Sequence, residues 1–229
     1  MTRIRWLEAE WELSLRQMAV ALRAAQFSRD SLEGFVVDRV RRDSIEARYI
    51  QRIEATDVVI DPFGNESVFT SLSFNEQSFI ISGARPCLEL RGGARSLQAL
   101  FSLLSQVTDF RFAVKSINVD VDRWLANFVL TASGNYSVDA FQVGNIAFPD
   151  GSIGRAIVRS RRGDARAAIM EMVSGKSYVI EKARIRPEHS KKGSILMSSS
   201  CSLMIQGFSV HEETILVESL RDALREVIG

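Results

Sequence analysis

Basic side chains at every second position of two strand-like segments are the residues best placed to do chemistry in this chain. Residues 151–200 hold 11 basic and 4 acidic side chains, while the whole 229-residue protein carries a net charge of only +1. Strand side chains point alternately to opposite faces. In GRAIVRSRR that parity puts Arg155, Arg159 and Arg161 on one face and Ala156 and Val158 on the other. In KSYVIEKARIRP it groups Lys182, Arg184 and Arg186 with Tyr178, against Val179, Ala183 and Ile185. A third segment, SILMSSSCSLMIQ, reads as a strand with Ile195, Met197, Cys201, Leu203 and Ile205 inward and Ser198, Ser200, Ser202 and Gln206 outward. Guanidinium forks bind phosphate or carboxylate oxygens in pairs, and hydroxyls add uncharged donors. The turn residues Arg162, Lys191 and Lys192 would extend the footprint. Ile157 breaks the pattern by falling on the basic side. Tyr178 is the one aromatic placed there, so base stacking is not expected. The face therefore predicts contact with a nucleic-acid backbone or with an acidic protein partner. The competing reading is a structural or regulatory subunit with that face inside an oligomer interface.

Catalytic constellations are harder to assemble. His189 and His211 are too few and too scattered for a metal cluster or a triad. Asp120 and Asp122 precede an amphipathic segment, where capping accounts for them. Glu181 lies directly beside Lys182, and Glu89-Leu90-Arg91 carries arginine where a D…E-x-K nuclease has lysine. Gly92-Gly93 and Gly163 open helices without Walker or dinucleotide spacing, and the serines lack a Gly-x-Ser-x-Gly elbow. No catalytic residue, metal site or cofactor is expected. An enzyme of unrecognised type is the remaining alternative.

The elements that must position the basic face follow from periodicity. Ile4, Leu7, Trp11, Leu15, Met18, Leu22 and Ala25 recur at helical spacing, which predicts a long helix over 3–26. It packs on its own sheet, or it offers Trp6, Trp11 and Met18 to a partner or a second copy. Strands are predicted at 33–41, 45–60, 67–73, 77–82 and 85–91, with turn chemistry at Asp61-Pro62-Phe63-Gly64-Asn65. A helix bearing Leu97, Leu100, Phe101, Leu104 and Val107 precedes a strand over 110–119. A short helix through Trp124, Leu125 and Phe128 then leads to a strand over 136–148, turning at Pro149-Asp150-Gly151. The last helix, over 212–228, turns Leu216, Leu220, Leu224, Val227 and Ile228 inward.

Two stretches, LELRGGARSLQALFSLLSQVTDFRFAVKSINV and AIVRSRRGDARAAIMEMVSGKSYVIEKARIR, share a strand, turn, Ala-Arg, helix, strand plan. The expected fold is thus α+β, with mixed, largely antiparallel sheets and helices on one face. Long amphipathic helices occupy both termini, and two related halves, 1–132 and 133–229, each carry a β-α-β unit. One continuous domain is the alternative. Composition is globular, at 46% hydrophobic and 25% charged. Cys87 and Cys201 cannot form a disulfide framework and sit in apolar runs, which fits a reducing compartment. Charges at Arg3, Arg5, Glu8, Glu10 and Glu12 replace a signal-peptide core, and no apolar run spans a bilayer. The expectation is a cytoplasmic, self-associating binding protein without membrane contact.

Overall fold

The computed structural model describes residues 1–93, 96–132, 134–161, 164–188 and 193–228. The chain forms two compact units, Met1–Glu8 with Lys115–Gly229, and Ala9–Val114. It is α+β, with five helices and predominantly antiparallel strands among the described residues. Among the described residues no helix is long and apolar enough to cross a membrane.

In the unit that holds the basic face, α3 (Val121–Thr131), β7 (Tyr136–Ala147), β8 (Ile153–Arg159) and α4 (Arg166–Met172) follow β1 (Thr2–Trp11), which begins in this unit and ends in the other. β9 (Val179–Pro187), β10 (Ser194–Ser198), β11 (Ser202–Gln206) and α5 (Val210–Ile228) complete it. The strand order is β1-β11-β10-β9-β7-β8. β8 and β9 both pair antiparallel with β7. They therefore run in the same direction, and α4 makes the connection between them.

One face of this sheet is the core. Ile4 and Trp6, Val138, Phe141, Ala183, Ile185, Ile195, Met197, Leu203 and Ile205 meet α3, α4 and α5 in one buried cluster. Trp6 and Trp124 touch edge to face with centroids 5.9 Å apart, and Trp124 Nε1 donates to Leu220 O at 2.9 Å. Each such buried side chain contributes about 1.5–3 kcal/mol relative to exposure. Asp120 caps α3 by accepting from the backbone of Asp122 and Arg123. Ser209 and Glu212 form a reciprocal cap at the start of α5. The division expected at 132/133 falls inside this unit, because α3 packs on α5.

The sequence reading needs correction at the N-terminus. The helix expected over 3–26 is a strand, β1, followed by a shorter helix, α1 (Leu15–Ala24). Pairing decides the outcome: Thr2 to Arg5 align with Ile205 to Ser202 of β11, burying Ile4 and Trp6 on one side. The helix begins only at Ser14, whose side chain and that of Gln17 form a capping box. Trp6 and Met18 are fully buried, so the partner surface expected of these two is interior packing, while Trp11 is half-buried and stacks on Phe112. The single strand expected from 195 to 206 is also a hairpin, β10 and β11, turned at Cys201 with φ of 52°.

The other unit contains α1, β2 (Glu33–Val40), β3 (Ser44–Ile60), β4 (Glu66–Ser82), β5 (Leu88–Arg91) and α2 (Gln98–Val107), with β6 (Phe112–Ser116) leading back. The strands order β2-β3-β4-β5. The two strands expected at 67–73 and 77–82 are one, since neither proline nor glycine interrupts residues 66–82. β3 and β4 stay in register from Ser44↔Ser82 to Ile60↔Glu66 without a bulge. Their lower rungs bury Ile45, Ala47, Tyr49, Phe79 and Ile81 under α1 and its neighbours, whereas residues 54–60 and 66–76 are exposed on both faces. At the end of this arm the Asp61 carboxylate accepts from the backbone of Phe63 and Asn65 at 2.8 and 2.9 Å. Gly64 supplies the φ of 87° that closes the turn.

Candidate binding face

Register converts the alternation of basic residues into two rungs that cross the whole six-stranded sheet. Arg159, Ala140, Arg184, Leu196, Met204 and Arg3 are successive Cα partners. Ile157, Gln142, Lys182, Ser198, Ser202 and Arg5 form the next rung. Arg186 pairs opposite Ser137, one rung further on. All lie on the face away from α3, α4 and α5, since their strand neighbours fill the core. Arg155, Arg159, Arg161 and Lys182 are exposed, while Arg184 and Arg186 are partly covered. Tyr178, grouped with the basic side in the sequence, lies before β9 and packs against the core cluster. Arg162, His189, Lys191 and Lys192 lie outside the described residues.

Two acidic residues that alternation does not place on this face sit among these cations, each delivered by an irregularity in pairing. β7 carries one extra residue between Val138 and Ala140, and that residue is Asp139. A bulge sets two neighbours against one partner and re-aims a side chain. Asp139 accepts from Arg184 Nε at 2.7 Å, and Arg186 Nε approaches to 2.6 Å without hydrogen-bond alignment. The second irregularity, between Gln142 and Val143, places Glu181 on β9. Its carboxylate accepts from Gln142 Nε2 at 2.6 Å and from Arg155 Nη2 at 2.8 Å. The Gln142 donor, then Arg155, hold the Glu181 carboxyl below its ordinary value. Glu181 lies over Gly144, where an added Cβ would fall 2.1 Å from Oε1.

Three of the six principal cations are thus tethered to carboxylates, and Arg159, Arg161 and Lys182 are the ones that reach solvent without such a tether among the described residues. Arg3 joins them as an exposed cation, and Arg5, partly buried and donating to Ser116 Oγ at 3.4 Å, lies beside it, a contribution hidden by reading residues 3–26 as a helix. The Arg3-Ile4-Arg5-Trp6 alternation carried that signal. Tethering keeps an arginine's remaining N–H groups available, because guanidinium has five donors and each carboxylate takes one or two.

The hydroxyl cluster is structural. Ser198 Oγ lies 2.6 Å from Ser202 Oγ and 3.0 Å from Ser200 Oγ, and Ser198 is buried. No histidine or carboxylate adjoins it to act as a base in the described hydrogen bonds. Burial pushes the Cys201 thiol up to about 12, the opposite of an activated nucleophile. Neither cysteine is in a disulfide. Among the described residues no three His, Cys, Asp or Glu side chains converge as metal ligands. No protein family matches the chain, and no curated protein matches its sequence.

Proposed function

We propose that this is a non-catalytic binding and assembly protein whose basic sheet face takes an anionic partner, foremost the phosphate backbone of a nucleic acid. The observation that supports it is the imbalance on that face. Arg3, Arg5, Arg155, Arg159, Lys182, Arg184 and Arg186 share it with Asp139 and Glu181 as the described carboxylates that pair with them. Side chains two apart on a strand are about 7 Å apart, so the rungs offer a grid of donors to a flexible chain of phosphates. Backbone contact needs no aromatic platform and reads no sequence. A second reading, an acidic protein surface, is favoured by Ile153 and Ile157, which are exposed on the same strand face beside Arg155 and Arg159. Mixed arginine and aliphatic surface is common at protein interfaces.

The test is retention on heparin and on duplex DNA across a salt gradient, for the wild type and for Arg159→Glu with Lys182→Glu. These two positions have no carboxylate tether to disturb. The expected result is salt-dependent retention that the double variant loses. Passage of the wild type through both matrices at ~50 mM salt refutes the nucleic-acid reading.

A further inference from the structure

The arm formed by residues 54–76 carries a surface that the basic face does not explain. On one side of it the paired residues run Arg52·Phe74, Glu54·Leu72, Thr56·Thr70, Val58·Val68 and Ile60·Glu66. Val58, Ile60, Val68, Leu72 and Phe74 are each more than half exposed there, and Phe63 at the turn is 90% exposed. Both edges of the arm are also open, since β2 pairs with β3 only as far as Gln51 and β5 with β4 only from Ser78. A long, exposed, apolar strand pair left in this state is a docking surface or an aggregation hazard.

We propose that two copies of this chain exchange arms, each arm lying antiparallel along the same face of the other. Reversal about the Thr56·Thr70 rung sets Leu72 beside Val68 of the other arm, with Glu54 kept by its own Arg52. Four residues in either direction, about 14 Å, lie Arg52·Phe74 at the base and Ile60·Glu66 toward the tip. Reversal about that centre sets the base of one arm against the tip of the other. The base holds a cleft of about 500 Å³ lined by Phe27, Arg29, Arg52, Leu72 and Phe74. Within it Phe27 and Phe74 meet edge to face at 6.1 Å. The tip presents the aromatic Phe63 flanked by Asp61 and Glu66. Arg52 is held by Glu54 at 2.5 Å, so Arg29 is the cation of the cleft that meets the acidic aromatic tip, and a two-fold axis makes that contact twice. No lysine or arginine occurs between residues 53 and 84, so the tip has no cation of its own to compensate. Five half-exposed apolar side chains and Phe63 at about 100 Å² or more each give on the order of 600 Å² per copy, close to the ~800 Å² of a standard interface.

The assay is sedimentation velocity of the full chain from ~1 to ~100 μM. The expected result is a monomer–dimer equilibrium whose dissociation constant rises about 100-fold in Val68→Glu. Arg29→Glu and Glu66→Arg each weaken it, and the two together restore it. In a Cys87→Ser background, Thr70→Cys crosslinks within the dimer, and Ser71→Cys on the opposite face does not. Val68 and Ser71 are exposed, so unchanged far-ultraviolet circular dichroism is expected of these variants. A monomer throughout the range, a dimer untouched by Val68→Glu, or open-ended polymers in place of dimers overturns the proposal. Arg159→Glu with Lys182→Glu leaves the dimer intact, so loss of the polyanion reading and loss of this one are separate results.

Discussion

Replacing Asp139 with asparagine should lower stability and raise polyanion affinity at the same time. Asp139 is mostly buried, at 13% side-chain exposure, and takes Arg184 and Arg186 at 2.7 and 2.6 Å. A hydrogen bond to a charged group is worth about 1.5–3 kcal/mol. The two arginines are about one-third exposed, and solvent screening brings the expected loss to about 1–2 kcal/mol. For a chain of this size that is a fall of roughly 3–6 °C in Tm. Binding moves the other way. Two guanidinium groups are released from an internal carboxylate, and the face gains a unit of net charge. Each additional phosphate neutralised steepens the dependence of log affinity on log salt by about 0.9, so the slope grows by up to about 2. Thermal melts by circular dichroism measure the first effect, and fluorescence anisotropy of a labelled duplex across a salt series measures the second. If affinity falls together with stability, Asp139 positions the arginines for binding instead of neutralising them, and the charge accounting of this face is wrong.

Further outcomes follow from the core and from Glu181. Trp124→Phe should cost about 2 kcal/mol, chiefly from the cavity left among Trp6 and α5. Leu220 O lies within α5 and keeps its helical donor, so urea unfolding that shows a loss below about 0.5 kcal/mol would contradict the tight Trp6–Trp124 packing. Glu181 has its folded pKa depressed from 4.5, so its ion pair stabilises above that value and is lost as pH falls through the lower folded value. The Tm difference between wild type and Glu181→Gln should therefore be constant above pH 6 and shrink below about 4.5, and a difference that widens in acid is the wrong sign.

Local chemistry in the sequence predicts much of the fold and fails where partners are remote. The Asp61–Asn65 turn, the Asp120 cap and the C-terminal helix are set by near neighbours, and all are present. Parity on β8, and on β9 from Lys182 to Arg186, likewise follows from the chain itself, whereas the bulge at Glu181 reverses it before that point, leaving Val179 exposed and packing Ile180 on the core. The N-terminal error arose because Ile4, Leu7 and Trp11 satisfy helical spacing while pairing with β11, some 200 residues away, decides the conformation. The Ser14 and Gln17 box marked the true helix start. Asp139 and Glu181 were illegible for a different reason. A bulge is a property of two strands in register, and neither strand alone reveals where the extra residue sits. The arm escaped notice because its alternation is that of an ordinary half-buried strand, and only the absence of a covering element makes it exposed.

The pairing of β1 with β11 also sets an order of events during synthesis. Residues 9–114 form one uninterrupted stretch and have all their strand partners once they leave the ribosome. Thr2 to Arg5 do not, because their partners Ser202 to Ile205 are translated about 200 residues later. At roughly 5–20 residues per second the intervening ~200 residues take about 10–40 s to emerge. For that interval Ile4 and Trp6 are solvated and the β11 side of the sheet has no closing strand. Thr2 to Arg5 are therefore among the last residues of this sheet to be fixed, and a chain stalled before residue 202 would hold one finished unit and an open one.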